Sequence, residues 1–317
     1  MWAISASKRE RAEFFGKRNQ NSFNPFATMF SLELFIFNAG KNLSSGKTLA
    51  FHSYKGGTGK TTLVTNLAAT FAMMGKRVCL LDFDLYAPSL TIYFRKTPES
   101  YLNELLAGEA EISDILVDVS SELGLKGKLF IGFSSPKKED IHEIEIHHDM
   151  KWQLTALRRF LAAKKELFSE YNLDYLILDT SPGIRYWAIN AIAAANLLFL
   201  MMKVNEMDIV GTKKMISEIY DSLIKFGSKY FIILNKVPGA SPLQEFQVEV
   251  NERMMSEIEE CIGPKVIGAI PCFCEIQFNK HEFLYAIKQP KHQFSKSVLD
   301  IANKIEGIDQ RIQSDEE

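Results

Sequence analysis

Apolar residues in this chain gather in short unbroken runs rather than alternating with polar ones. Thr48–Ser53, Arg77–Asp82, Lys128–Phe133, Asp174–Asp179, Leu197–Lys203, Tyr230–Asn235 and Lys265–Ile270 each read as a strand. A strand that is apolar on both faces belongs to a parallel sheet covered on both sides. Segments with helical spacing lie between these runs. One spans Lys60 to about Met74 and is stopped by Gly75. Another spans Lys151–Tyr171, with Leu154, Leu157, Leu161 and Phe168 on one face. Residues 208–226 and 244–261 read as two more, and Ser295–Gln313 as a last helix before Asp315-Glu-Glu317. Strand, helix and strand repeated in this way predict an α/β fold, a doubly wound, mostly parallel sheet flanked by helices.

The pattern begins at residue 47, which divides the chain into an N-terminal extension, 1–46, and a domain, 47–317. Residues 1–28 are polar and locally basic through Lys8, Arg9, Arg11, Lys17 and Arg18. A disordered arm, a basic surface tether and an artefact of start-site choice, with Met29 opening the chain, all fit that composition. Phe30 to Phe37 reads as a strand closed by Asn38-Ala-Gly40.

Bulk composition changes this picture little. The 317 residues are 46% hydrophobic and 24% charged, enough for a substantial core without disulfides or structural metals. Lys and Arg number 37 against 39 acidic residues, a net charge of −2, so bulk charge gives DNA binding no support. Cys79, Cys261, Cys272 and Cys274 do not form a secreted disulfide framework. The longest apolar candidate for a membrane span, Ala188 to Met202, is interrupted by Asn190 and Asn196. The first 28 residues lack the apolar core of a signal peptide, and a cytoplasmic protein is expected.

The most informative stretch is Phe51-His-Ser-Tyr-Lys-Gly-Gly-Thr-Gly-Lys-Thr-Thr62, which follows a strand and opens a helix. Gly56, Gly57 and Gly59 let the backbone of Lys55–Thr62, Thr58 included, curl so that successive N–H groups face phosphate oxygens. Lys60 can then reach the β- and γ-phosphates, the Thr61 hydroxyl can ligate magnesium, and the helix adds its positive end. These features predict a P-loop that binds ATP or ADP with Mg²⁺.

The usual Walker pattern has glycine where this chain has Tyr54, and here a second lysine, Lys55, precedes the double glycine. Lys-Gly-Gly-Thr-Gly-Lys-Thr-Thr resembles the deviant Walker A motif of the MinD/ParA ATPase family. The resemblance implies that Lys55 crosses a nucleotide-sandwich dimer to touch the partner's phosphates. There it would supply transition-state charge as arginine fingers do, which are worth ~10³–10⁵ in rate.

Two further motifs follow in family order. Leu80-Leu-Asp-Phe-Asp-Leu-Tyr-Ala-Pro-Ser-Leu90 resembles switch I, which implies Asp82 in the magnesium shell and Asp84 positioning or activating the attacking water. Asp174-Tyr-Leu-Ile-Leu-Asp-Thr-Ser-Pro-Gly183 resembles Walker B running into switch II, with Asp179 contacting magnesium through water. Pro182 and Gly183 permit a loop that changes course when the γ-phosphate leaves. Tyr230-Phe-Ile-Ile-Leu-Asn-Lys-Val-Pro238 resembles the family's base-contacting strand end. That implies contacts from Asn235 and Pro271, and Pro238, standing where guanine-specific relatives carry Asp, favours adenine.

The family resemblance covers about three quarters of the chain. It implies an ATP hydrolase, slow and partner-stimulated, that dimerises with ATP and positions or partitions a cargo. An ATP-dependent metal or iron–sulfur carrier using Cys272 and Cys274 is the alternative, and a biosynthetic ligase or phosphotransferase of the same fold is a third. His142, His147 and His148 lie in an acidic segment and read as solvated surface. Val298, Ile301, Ile305, Ile308 and Ile312 share a helical face, but without a basic flank they favour packing on the domain over membrane binding.

Overall fold

The computed structural model describes residues 46–146, 150–220, 229–238, 244–278 and 281–316. The Phe30–Phe37 strand, the basic segment before it, and His147 and His148 lie outside these residues. Eight strands form one sheet: β1 (Lys47–His52), β2 (Arg77–Phe83), β3 (Leu116–Asp118), β4 (Lys128–Gly132), β5 (Tyr175–Thr180), β6 (Leu197–Met202), β7 (Lys229–Val237) and β8 (Val266–Pro271). Their order is β3-β4-β2-β5-β1-β6-β7-β8, and every pairing is parallel except β3 with β4.

The unbroken apolar runs are explained by burial on both faces. All residues of β5 and β6 are buried. One face packs Ala50, Leu81, Leu178 and Leu200 under the long helix Met150–Ser169, through Leu157, Phe160 and Leu167, and under Trp187 of the helix Tyr186–Ala193. The other packs Leu49, Phe51, Leu80 and Ile177 under the P-loop helix Lys60–Met73 and the C-terminal helix Gln293–Glu316. Each fully buried Leu or Phe contributes ~1.5–3 kcal/mol relative to exposure. Val298, Ile301 and Ile305 are buried in that second layer, Ile308 packs at its edge, and Lys76 and Glu306 close the contact at 2.7 Å.

The seven strands expected from residue 47 onward are present with ends shifted by a residue or two, as assigned strand ends commonly are. Other elements differ from expectation. The stretch read as a helix over 208–226 is a helix at Glu206–Met215 followed by a π-helical turn, Ile216–Tyr220, and residues 221–226 lie outside the described ones. The apolar run from Ala188 to Met202 is two elements, a buried helix and β6, with Asn196 at the junction accepting from Thr48 N–H at 2.8 Å. Among the described residues no helix is long and apolar enough to cross a membrane.

The position of β1 places the site. Successive strands run to opposite sides of it, to β5 and β2 on one flank and to β6, β7 and β8 on the other. Ligands of doubly wound sheets sit outside the carboxyl ends of the strands where the order reverses. Here that crevice is a cavity of about 620 Å³, lined at one end by the loop after β1 and at the other by the end of β7 and the segment after β8.

Candidate nucleotide site

The loop after β1 turns tightly into the Lys60–Met73 helix. Gly57 and Gly59 take φ of 72° and 89°, a region costly for residues with a side chain. At Gly59 a Cβ would also run into the Asn235 amide. Asn235 itself is buried and donates Nδ2–H to the Thr58 carbonyl at 2.7 Å, while Lys236 Nζ donates to the Gly57 carbonyl at 3.2 Å. The end of β7 therefore braces the loop from behind. Tyr54, standing where the usual motif has glycine, packs so closely on Gly211 that no side chain would fit there.

Gly56, Gly57, Thr58, Gly59, Lys60, Thr61 and Thr62 all line the cavity. Lys60 is buried, and its Nζ donates to Asp179 Oδ1 at 3.0 Å. The second oxygen, Asp179 Oδ2, is buried with no hydrogen-bond partner among the described residues. Asp82 and Asp179 stand opposite each other in the β2–β5 register. Burial and then the neighbouring Asp179 push the Asp82 carboxyl up to about 8, against the stabilising N–H bonds that it accepts from Leu90 and Asp84. Asp84 lines the cavity and is also raised, chiefly by burial, with Lys60 opposing.

His52, the last residue of β1, lies beneath this cluster. Thr180 Oγ1 donates to the Phe51 carbonyl at 2.8 Å, so the 2.7 Å contact between Thr180 Oγ1 and His52 Nδ1 has the imidazole as donor. Burial and Lys60 hold His52 down to about 3, so it is neutral.

At the cavity's other end Asn235 and Pro271 stand with Cys272, Phe273, Ile276 and Phe283. Tyr93 spans the two ends: its hydroxyl shares a 2.7 Å hydrogen bond with Thr62 Oγ1, and its ring lies 5.0 Å from that of Phe283. Asn66 of the P-loop helix donates to the Phe283 carbonyl and accepts from Ala286 N–H, pinning this wall to the helix. Cys272 lines the cavity, whereas Cys274 is exposed, and among the described residues no three His, Cys, Asp or Glu gather as a metal site.

Lys55 sits apart. It is not among the lining residues, and its Nζ lies 3.5 Å from Met207 Sδ. Tyr93, Arg185, Lys236 and Phe283, which none of the sequence motifs singles out as site residues, also line the cavity. Lys236 could have been flagged by its place beside Asn235. The aromatics carry no local signal that separates them from core residues.

Glycines that gather backbone N–H groups at a helix start, ahead of a buried lysine and two carboxylates on adjacent strands, suit a polyphosphate and its counter-cation. The class so defined is the P-loop nucleotide-binding proteins. Within it, an AAA domain family model (AAA_31) matches residues 46–226, and the chain belongs to that family as a MinD/ParA-type P-loop ATPase. The chromosome-partitioning ATPase Soj of Treponema pallidum is 24% identical over 242 residues, covering 71% of this chain and 82% of its own length. An iron–sulfur cluster carrier protein of Aquifex aeolicus is 26% identical over 275 residues, covering 82% of this chain and 67% of its own. The septum site-determining protein MinD of Pyrococcus horikoshii, solved with Mg-ADP, shares the fold with a TM-score of 0.64 at 19% identity, over 83% of this chain and 98% of its own.

Proposed function

We propose that the domain from residue 47 onward is an ATP-driven switch whose ATP-bound form is a homodimer. The observation that carries this reading is the placement of Lys55. Its ammonium stands outside its own phosphate cradle, beside Met207. Met207, Val210 and Ile184 are more than half exposed. Each is tied to the same spot: Val210 precedes Gly211, which packs on Tyr54, and Ile184 follows Gly183, whose N–H is held by Ser53. An apolar rim around a cation suits contact with a second copy, across which Lys55 would meet the partner's phosphates.

The chemistry is hydrolysis of ATP. Thr61, Asp82 and Asp179 form an all-oxygen set suited to magnesium, and the orphaned Asp179 Oδ2 is an acceptor that the hydrated ion would satisfy. Bound there, magnesium would neutralise β- and γ-phosphate charge. Lys60 would move from Asp179 toward the phosphates. Water attacks the γ-phosphorus in line, the bond to the β,γ-bridging oxygen breaks, and Asp84 orients the water and receives its proton. The raised Asp84 carboxyl suits that role, and positioned acids and bases of this kind contribute ~10²–10⁴ in rate. Turnover is slow until a protein partner completes the site, and hydrolysis dissolves the dimer. Asn235 and Pro271 border the adenine.

The test is the protein's mass in solution with ADP and with ATP, for wild type, Asp84→Ala and Lys55→Ala. An ATP-dependent dimer that Asp84→Ala traps and Lys55→Ala abolishes is the expected result. A mass indifferent to ATP would end this reading. The homologous cluster carrier, with Cys272 at the cavity wall and Cys274 exposed, supports a second one: iron bound by purified protein and lost on Cys272→Ser with Cys274→Ser would favour it.

A further inference from the structure

A cation at the mouth of the cavity remains without a role. Arg185 lies two residues beyond Gly183, whose N–H is held by the Ser53 carbonyl at 2.9 Å, and Pro182 borders Gly56. The loop carrying Arg185 is thus fastened to the phosphate loop itself. The guanidinium carbon sits 4.2 Å from the centroid of the Tyr86 ring. Tyr86 belongs to the turn that Asp84 closes by accepting from Ala87 N–H at both its carbonyl and its Oδ1. Arg185, Tyr86, Asp84 and Lys60 line one cavity, and Arg185 makes no salt bridge among the described residues.

A guanidinium over a ring is held by the ring's quadrupole alone, a weak contact where solvent reaches it, and Arg185 is exposed. Its planar fork is better matched by two oxygens of one phosphate, with charge-assisted bonds. The contact also joins two separate loops, one from the end of β2 and one from the end of β5. The residue that leaves this resting place therefore uncouples them.

We propose that Arg185 reads the terminal phosphate from within its own chain. With the phosphate position empty or diphosphate bound it is parked on Tyr86. A triphosphate draws it from the ring onto the γ-phosphate oxygens, freeing the turn that carries Asp84. Arg185 is then a ligand to the substrate that discriminates ATP from ADP, and Tyr86 is a positioning residue that opposes it. This rests on the ATP-binding reading above.

The experiment uses the full chain with Mg²⁺ and compares binding of ADP and a non-hydrolysable ATP analogue to wild type, Arg185→Ala, Arg185→Lys and Tyr86→Ala. Arg185→Ala is expected to weaken the analogue about tenfold and ADP less than about twofold, the loss of one charge-assisted contact made only by the γ-phosphate. Arg185→Lys should fall between, since a point charge keeps attraction but not the fork. Tyr86→Ala should tighten the analogue a few-fold by removing the competing contact. Emission of the buried Trp187, two residues from Arg185, should change with the analogue in wild type and not in Arg185→Ala. Equal effects on both nucleotides, no effect at all, or weaker analogue binding in Tyr86→Ala would overturn the proposal. If Arg185→Ala melts at lower temperature than wild type, Arg185→Lys and Tyr86→Ala decide by the same criteria. Wild type that binds neither nucleotide would instead remove the reading beneath it.

Discussion

The phosphate end of the cavity is built from the carboxyl ends of β1, β2 and β5, three adjacent strands at the centre of the sheet, whereas the end proposed for the base is built from the end of β7 and the segment after β8, on the outer flank. The first is an arrangement of charge and backbone: Lys60 against Asp179, Asp82 beside them, and glycines that free the N–H groups. The second is an apolar wall of Phe273, Ile276 and Phe283 closed by Tyr93. Strand ends buried on all sides fix side chains closely, as in-line chemistry requires. A wall of rings need only exclude water and accept a flat base. Substitutions at the phosphate end should therefore act on rate and on the fold together, and those at the base end on binding alone.

The largest effect should come from Lys60→Ala. It removes the phosphate ligand and leaves Asp179 buried with neither oxygen paired to a cation. Breaking one partner of a buried pair costs ~3–5 kcal/mol, and the melting temperature should fall accordingly. Hydrolysis should fall by at least ~10²-fold at saturating ATP. Asp179→Asn in the same background should return part of the stability and none of the activity. If Lys60→Ala melts like wild type, the central cluster is not the structural keystone that its burial and charge pairing imply.

How each end could be read from sequence obeys the same division. The phosphate loop is legible because its geometry is local: Gly57 and Gly59 occupy positive φ, and the lysine and threonines come after them at fixed spacing. Asp82 and Asp179 are legible as strand ends, but not their opposition in register, 97 residues apart and across a sheet, nor the elevation of Asp82 that burial first and then this opposition cause. The base end is hardly legible. Tyr93, Phe273 and Phe283 resemble core aromatics, and only the tertiary path of residues 281–286, pinned by Asn66, brings Phe283 to the cavity. Asn235 is legible as a strand-end residue, and it lines the cavity, but its amide nitrogen is committed to Thr58. The three-residue β3 is too short for any periodicity to announce it.

Asn235 is where the two ends meet, so Asn235→Ala should give the intermediate effect. Losing the bond to the Thr58 carbonyl leaves a buried acceptor unsatisfied, which costs ~1–3 kcal/mol. Because that carbonyl belongs to the phosphate loop, ADP and ATP should both weaken, by roughly tenfold, together with a lower melting temperature. Weaker binding with unchanged stability would place Asn235 wholly at the base end.

Tyr93→Phe should have the smallest effect, and it separates the two modes most sharply. The ring is kept, so its 5.0 Å contact with Phe283 survives, and only the hydroxyl bonded to Thr62 is lost. Thr62 is partly exposed and can turn its hydroxyl to water, so the net loss is that of one ordinary hydrogen bond, ~0.5–1.5 kcal/mol. Steady-state kinetics should show KM raised by at most about tenfold with kcat unchanged, the signature of uniform binding. A fall in kcat would mean that Tyr93 holds Thr62, and through it the first turn of the P-loop helix, in the geometry the chemistry needs. The apolar wall would then be part of the catalytic frame rather than a cover over it.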